Sequence, residues 1–445
     1  MSHAIGMGGS VAGLCAAAAL ARNFDRVTVL ERDGDPGIAG HKGVPQSYMG
    51  HILLRGGQDA MEELLPGTFA ALAARGAKSL DFRRDFNWFF HGVKTPRRHH
   101  GTSFSLQSRP LLEDQLRVQL RALGKVEFRF GTAVVEPIHE QGRVVGVLLE
   151  QGERLDGDLV VDAMGRGSRS PRWLERWGCG EVPTQRVKLG LRYVSGTFEY
   201  PPELDSRELV GVYHLAPHNR RCGWVFPIEG NRASIICVGY PGDYPPLELS
   251  ELIDWARGML RPDIAKHLQR AELVGKLHTY NYKDQIRHLY NKVDMPSGYL
   301  VVGDAMCSVD PVLGQGMTLA AQQALMLTKL RPEDRTQRWQ QRLILKTELP
   351  FAVTAMEGNR WDTTSGWDAP LGDFLRWYVG HVYTAASLDP QIDDVMAEVM
   401  HMRKPAYELF RPRVVGRVFR TLRRYRHAKA LPKERSSITL LETGY

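Results

Sequence analysis

The sequence predicts an α/β fold: a discontinuous, Rossmann-like nucleotide-binding domain, an inserted β-rich domain and a helical C-terminal region. Two glycine-rich segments at opposite ends of the body of the chain support this prediction. Gly8-Gly9-Ser10-Val11-Ala12-Gly13 follows a short apolar strand, and a second segment, which starts at Gly303, precedes an alanine-rich helical pattern. Residues 185–280 contain several β-branched runs without a nucleotide-turn signature, which predicts a sheet inserted between the two halves.

The composition indicates a globular protein. The chain has 445 residues, of which 43% are hydrophobic, so it can bury a large core. The longest apolar run, residues 11–21, is too short to span a bilayer and belongs to the glycine-turn helix, so we expect neither a transmembrane helix nor a signal peptide. The five cysteines are scattered without a CxxC pair, which favours a reducing cytoplasm and predicts neither a disulfide framework nor a metal site.

The net charge of +8 is concentrated near the C-terminus, where residues 403–435 contain 12 Lys and Arg against 2 Asp and Glu. Apolar residues at Phe410, Val414, Val418 and Leu422 alternate with arginines in a helical pattern. The pattern predicts a basic amphipathic helix that either makes peripheral contact with an anionic membrane surface or docks on the body with a solvated arginine face. Nucleic-acid binding is not expected, because no nucleic-acid-binding fold signature accompanies the charge.

The N-terminal turn approximates the GxGxxG pattern of dinucleotide-binding folds, with Ser10 in place of the second glycine. Gly8 would make the tight turn, Ser10 would face a pyrophosphate, and Gly13 would allow close packing of helix on strand. Glu31, followed by Arg32, ends the next strand and is well placed for ribose hydroxyls. The alternative is a tight turn that binds nothing.

Two further segments combine a strand end, an aspartate and glycines. Asp304 follows Gly303 after the apolar run 299–302 and can hydrogen-bond sugar or ribityl hydroxyls. The loop then continues through Pro311 and Gly314-Gln315-Gly316-Met317 into a predicted helix, whose N-terminus favours anionic groups. In the other segment a strand ends at Asp162 and the chain turns at Gly165. This segment either belongs to the cofactor site or is a solvated Asp/Gly turn that binds nothing.

The ordered set of motifs resembles one branch of FAD-dependent oxidoreductases in the para-hydroxybenzoate hydroxylase-like superfamily, that of the polyene epoxidases of polyether antibiotic pathways. The resemblance covers residues 3–330 and also includes Gly43-Val44-Pro45-Gln46 followed by His51, and Ser108-Arg109-Pro110-Leu111-Leu112-Glu113. It implies FAD as the cofactor, with Arg109 and Lys42 in contact with the flavin. Lys42 stands where family members carry Arg, so it keeps the charge but loses the bidentate fork.

The resemblance also implies an activity: a monooxygenase, in which one oxygen atom from molecular oxygen passes from a peroxyflavin to an apolar substrate. That substrate would be a polyketide, isoprenoid or aromatic compound of secondary metabolism such as antibiotic biosynthesis, epoxidised or hydroxylated. NAD(P)H would act as a transient reductant, or a partner flavin reductase would supply electrons. The same FAD parts also fit a reductase or dehydrogenase of isoprenoid double bonds, or a flavoprotein-derived scaffold that is not an enzyme. No catalytic side chain is identified.

An aromatic strand, residues 223–228, is expected to shape the substrate cavity through Trp224 and Phe226, together with Tyr193 and Tyr213; the alternative is an ordinary core strand. Flavin halogenases have a W-x-W-x-I-P pattern here, whereas this chain has Phe226 at the second aromatic position, which disfavours halogenation.

The expected organisation has four parts. Residues 1–184 form the first part of the FAD-binding domain, with an excursion into the substrate domain at about 75–108. Residues 185–285 form the inserted β-sheet, 286–335 complete the FAD-binding domain, and 336–445 form the helical region with the basic helix. Within these parts, we expect helices at 14–22, 111–123 and 318–330.

Overall fold

The computed structural model describes residues 1–38, 49–90, 92–99, 101–204 and 208–430, with side chains to residue 426. The strands in these ranges are β1 His3–Met7, β2 Arg26–Leu30, β3 Lys78–Asp81, β4 Phe86–Phe90, β5 Val93–Lys94, β6 Ser103–Leu106, β7 Val126–Arg129, β8 Val134–Glu140, β9 Arg143–Leu149, β10 Arg154–Asp156, β11 Leu159–Asp162, β12 Thr184–Glu199, β13 Leu209–Val212, β14 Arg221–Ile228, β15 Arg232–Gly239, β16 Glu272–His288, β17 Tyr299–Val301, β18 Cys307–Ser308 and β19 Ser365–Gly366.

The helices are α1 Val11–Leu20, α2 Arg55–Leu64, α3 Thr68–Ala74, α4 Arg109–Ala122, α5 Ser170–Arg176, α6 Leu249–Arg257, α7 Asp263–Arg270, α8 Gly316–Leu327, α9 Thr336–Lys346, α10 Glu348–Gly358, α11 Gly372–Ala386, α12 Pro390–Met400 and α13 Pro412–Ala430.

A parallel five-stranded sheet in the order β17–β11–β1–β2–β7 forms the first layer. Strands β1, β11 and β17 are apolar and almost fully buried, as expected for a parallel sheet covered on both faces. Helix α1 consists mainly of small residues and packs against both α4 and α8. Because the strands are parallel, the carboxyl ends of β1, β2, β11 and β17 meet at one edge, which is where ligands bind in open α/β sheets.

A larger mixed sheet forms the second layer, in the order β18–β16–β12–β15–β14–β13–β4–β5, with β19 beside β12. Its side chains alternate between two faces, as the pleat requires. Val194, Val225 and Ile235 point into a separate apolar core that is closed by α6 and α7. Their neighbours Tyr193, Trp224 and Ile236 line a cavity on the opposite face. The sheet therefore has a structural face and a face available for a site.

The C-terminal helices close the open side of this arrangement. Helix α12 is tied to the loop before β4 by a buried ion pair between Arg83 and Asp393. The Arg83 guanidinium also lies over the rings of Phe82 and Trp88, at 4.6 and 5.0 Å from their centroids. Burial lowers the pKa of Arg83 to about 10, so the side chain stays charged at neutral pH and depends on Asp393.

The predicted fold class is confirmed: a parallel nucleotide-type sheet, an inserted β-rich layer and a helical C-terminal region are all present. Three predicted helices begin two or three residues earlier than expected, at Val11, Arg109 and Gly316. The reason is that a first helical turn needs no internal N–H partners and so accepts glycine and proline. The domain boundaries stay a prediction. Within the described ranges, no helix is both long and apolar enough to cross a membrane.

Candidate active site

A cavity of about 770 Å³ lies between the carboxyl edge of the parallel sheet and the inner face of the mixed sheet. Its walls differ from end to end. Backbone of the two glycine-rich loops, together with charged side chains, lines one end, and aromatic and aliphatic side chains line the other. Such a cavity suits a ligand with one polar, extended part that is placed beside a second, apolar ligand.

The N-terminal turn needs its glycines for steric reasons. Gly8 has φ +107°, and a Cβ there would lie 2.7 Å from the carbonyl oxygen of Ala163. A Cβ at Gly13 would lie 1.8 Å from the carbonyl oxygen of Gly8. Glu31 reaches across the turn and accepts hydrogen bonds from the backbone N–H of Gly9 at 2.8 Å and of Asp33 at 3.0 Å. The turn is therefore held closed, while Gly8 and Glu31 still line the cavity.

Ser10 is part of a charged network and does not cap its helix. Its hydroxyl donates to Glu113 Oε1 at 2.7 Å and accepts from Arg109 Nη2 at 2.8 Å, while Arg109 Nε donates to the same Glu113 oxygen at 3.0 Å. Glu113 is 1% exposed, so its carboxylate balances the largely buried guanidinium. The arginine that the resemblance assigns to the flavin is thus fixed in position by a partner on its own helix, one turn later.

His51 completes this network as a neutral ring. Burial, aided by the charge of Arg109, lowers the pKa of His51 to about 3. Its Nδ1 lies 2.7 Å from the carbonyl oxygen of Met49, which can only accept, so Nδ1 carries the proton. Nε2 is then free to accept from Arg109 Nη1 at 3.1 Å. One prong of the Arg109 fork is therefore held by Ser10 and the other by His51.

Asp162 holds the turn that follows β11 and does not line the cavity. It is fully buried and accepts hydrogen bonds from the N–H of Met164 at 2.9 Å and from the hydroxyls of Ser168 and Ser170. Burial raises the pKa of this carboxyl. Its role in the structure is to shape the turn that carries Gly165 to the cavity wall.

The loop after β17 places the other aspartate differently. Gly303 has φ +61°, and a Cβ there would lie 2.7 Å from Ala12 Cβ, so the glycine lets this loop approach α1. Asp304 lines the cavity, and its burial raises the pKa of its carboxyl against the opposing effects of Arg166 and Arg109. The N-terminus of α8, at Gly316, lies on the same wall. An acceptor carboxylate and a helix N-terminus therefore face one space.

The apolar end is an aromatic box. Phe86 and Trp88 stack with 5.4 Å between centroids, and Tyr213 meets the edge of Trp224 at 5.1 Å. The remaining walls of this end come from several distant segments, among them Ile52, Leu54, Phe82, Phe226, Ile236, Met400 and His401. The aromatic residues on β4, and the residues at the end of α12, were not predicted as site residues; the run Phe86-Asn87-Trp88-Phe89-Phe90 was the available signal.

Asp310 lies behind this box and was likewise not predicted. Its Oδ1 accepts from Val312 N at 3.0 Å and lies 3.4 Å from the hydroxyl of Tyr193, a residue that lines the cavity. Asp310 is 2% exposed, and burial raises the pKa of its carboxyl to about 7. A buried carboxyl that titrates near neutrality beside a cavity-lining phenol is an arrangement that functional sites often contain.

Most of the predicted site residues lie around this one cavity. Those that line it are Gly8, Ser10, Glu31, Arg32, Arg109, Gly165, Asp304, Pro311, Gly314, Gly316, Met317, Tyr193, Tyr213, Trp224 and Phe226. Gly13, Asp162, Gly303 and Gln315 do not line it; the first three support its turns, and Gln315 precedes α8 with its side chain buried. Lys42 lies outside the described residues. Among the described residues, no cluster of side chains could hold a metal ion.

Comparisons with known proteins place the chain among flavoproteins by fold. The squalene epoxidase family model matches residues 216–351. The structure of the flavin-dependent brominase Bmp2 superposes with a TM-score of 0.65 at 14% identity, covering 96% of this chain and all of the other. PqsL of Pseudomonas aeruginosa, described as a probable FAD-dependent monooxygenase, superposes with a TM-score of 0.60 at 17% identity, covering 80% and 94%.

A curated relative is much closer in sequence. Protein Rv3254 of Mycobacterium tuberculosis is 33% identical over 341 residues, which cover 72% of this chain and 71% of the relative. At that identity and coverage the two chains share a common fold and ancestry. The chain therefore belongs to the family of Protein Rv3254 and has the fold of the FAD-dependent monooxygenases.

Proposed function

We propose that the protein is an FAD-dependent monooxygenase that transfers one oxygen atom to an apolar organic substrate. The observation that carries the proposal is the two-ended cavity, in which glycine-walled loops at the sheet edge adjoin an aromatic box. The match to the squalene epoxidase model adds support, because it spans part of the inserted sheet and the whole loop from Gly303 to Met317.

The residues present fit FAD. Close backbone approach at Gly8 and a helix start at Val11 suit a pyrophosphate, and Arg109, held by Ser10 and His51, would supply positive charge beside it. The carboxylate oxygens of Glu31 keep a lone pair for ribose hydroxyls after accepting from the turn. Asp304 would accept from ribityl hydroxyls, and the α8 N-terminus would favour negative charge on the flavin ring.

When bound, FAD supplies the oxygen-transfer chemistry, with NAD(P)H or a partner flavin reductase as the source of electrons. The protein's own contribution is to orient the substrate and exclude water. The rings of Phe86, Trp88 and Trp224 offer a substrate mainly apolar surface, and the buried Trp88 Nε1–H is a donor without a partner among the described residues. A substrate with an alkene or an electron-rich ring, of polyketide, isoprenoid or aromatic type, would fit it.

We assign a proton-handling role to the pair formed by the Tyr193 phenol and the Asp310 carboxyl. Tyr193 lines the cavity, and its hydroxyl lies 3.4 Å from Oδ1 of Asp310, whose carboxyl has a pKa of about 7. A proton lost from Tyr193 to a product oxygen would be replaced from Asp310. The pair thus holds a proton at the boundary of the apolar end.

Labelled oxygen tests the proposal. Purified protein is supplied with FAD, NADPH and ¹⁸O₂, with squalene and a polyketide polyene as probe substrates. A monooxygenase incorporates one ¹⁸O atom into product and stops when oxygen is removed. Product that lacks label and forms equally under argon would contradict the proposal and identify the reductase alternative.

A further inference from the structure

Three aromatic rings lie side by side on the surface where α11 meets α13. Phe374 and Trp377 of α11 are 55% and 50% exposed, and Phe419 of α13 is 41% exposed. Their ring centroids are 5.7 Å apart between Phe374 and Trp377, and 6.1 Å apart between Trp377 and Phe419. Leu371, at the start of α11, is 77% exposed. We call these four residues the aromatic patch; contiguous exposed apolar surface of this kind marks an interaction site.

The helix that carries Phe419 is strongly basic on its outer side. Val414 and Val418 are buried against the body, so the opposite side of α13 faces solvent. That side carries five exposed arginines, namely Arg413, Arg420, Arg423, Arg424 and Arg426. Residues 412–430 contain no Asp or Glu. Arg417 is paired with Asp389, whereas the five exposed arginines have no carboxylate partner among the described residues.

The geometry joins the apolar and basic features into one surface. Phe419 and Arg423 are four residues apart and share a face of α13, and Arg420 is in turn a neighbour of Arg423 and Arg424 on the adjoining side. The acidic residue nearest the patch in sequence is Asp373, whose carboxylate shares Arg376 with that of Asp368, at 2.6 and 2.9 Å. The α13 side of the aromatic patch is therefore positive, since this helix contains no Asp or Glu.

We propose that the aromatic patch and the five exposed arginines of α13 dock the protein on an anionic lipid surface. Trp and Phe side chains favour the depth of the lipid headgroups, and arginines beside them neutralise anionic phosphates. A second copy of the chain fits this surface poorly, because a two-fold contact would set unpaired arginines against unpaired arginines. The proposal goes beyond the oxygen-transfer function and does not depend on the cofactor.

Co-sedimentation of the full-length protein with vesicles tests the docking. Vesicles of phosphatidylcholine alone are compared with vesicles that also contain phosphatidylglycerol, at low and high salt. We expect binding to the anionic vesicles only, with loss at high salt. Equal binding to both compositions, or none to either, would overturn the proposal.

Two surface variants separate the aromatic and basic contributions. The first variant replaces the three aromatic residues by serine: Phe374→Ser, Trp377→Ser and Phe419→Ser. The second replaces three arginines by glutamate: Arg420→Glu, Arg423→Glu and Arg424→Glu. Each variant should lower the partition coefficient onto anionic vesicles by at least about tenfold. A control change, Leu345→Ser with Leu349→Ser, removes exposed leucines from α9 and α10 and should bind as the parent does.

Circular dichroism and the midpoint of thermal unfolding show whether each variant is folded, so that loss of binding is interpretable. Variants that are folded and bind anionic vesicles as the parent does would overturn the proposal. So would a concentration-dependent dimer in size-exclusion chromatography that the serine variant abolishes, because the patch would then be an interface between copies.

Discussion

Replacing Asp310 by Asn should make the protein more stable, and increasingly so as the pH rises. The carboxyl is 2% exposed, and its folded-state pKa is about 7 against an ordinary value of 3.8. Between these values, the unfolded chain has released the proton while the folded protein keeps it, so stability falls as the pH rises. The penalty is complete above pH 7 and amounts to about 4 kcal/mol, since one pKa unit is worth about 1.4 kcal/mol.

An asparagine keeps the local hydrogen bonds without the charge. Its carbonyl oxygen, in place of Asp310 Oδ1, can accept from both Val312 N and the Tyr193 hydroxyl. The variant should therefore exceed the parent in stability by about 2 kcal/mol at pH 5 and by about 4 kcal/mol at pH 8. Urea unfolding followed by tryptophan fluorescence at both pH values measures the difference.

Asp389→Asn is the matched control. Burial acts to raise the pKa of Asp389, but hydrogen bonds from Arg417, Gln391 N and Thr421 lower it overall. This group therefore contributes stability above its unfolded-state pKa, and its replacement should destabilise the protein at pH 8. A difference in the free energy of unfolding between Asp310→Asn and the parent that is the same at pH 5 and pH 8 would refute the reasoning. It would mean that the buried carboxyl ionises as readily in the folded protein as in the unfolded chain.

Three further substitutions test the polar end of the cavity and the ion pair between Arg83 and Asp393 of α12. Gly13→Ala places a methyl group 1.8 Å from the Gly8 carbonyl oxygen, so the purified variant should have lost its flavin absorbance; full FAD content would contradict the account of the turn. Arg109→Lys removes the fork and should weaken FAD binding by roughly tenfold or more in a fluorescence titration, and unchanged affinity would place the site elsewhere. Asp393→Ala leaves the buried guanidinium of Arg83 uncompensated and should cost about 3–5 kcal/mol in urea unfolding, whereas a cost below 1 kcal/mol would make the pair incidental.

The nucleotide-type half of the fold was predictable because its signals are local. Gly8, through its positive φ, and Gly13, through its contact with the Gly8 carbonyl oxygen, determine the turn within a few residues and independently of the rest of the fold. The same pattern does not specify a role. Asp162 and Asp304 both follow an apolar strand beside glycines, yet serine hydroxyls enclose the first, whereas the second lines the cavity.

The apolar end could not be predicted from local patterns because distant segments assemble it. Strand β4 pairs with β13 in parallel, which brings Phe86 and Trp88 to the same wall as Trp224. His401 reaches the wall from the end of α12. The strand that carries Trp224 and Phe226 was left open between a cavity wall and an ordinary core strand, and the packing of α6 and α7 on its other face decides which face is the core.

The visible absorption spectrum of the purified protein, with the cofactor released by heat and identified by chromatography, tests the central claim that this cavity holds FAD. We predict near-stoichiometric FAD in the parent and its loss in the folded Asp304→Ala variant, because that carboxylate lines the polar end. A parent protein without flavin absorbance that cannot be reconstituted with FAD would contradict the claim, as would full FAD retention by Asp304→Ala.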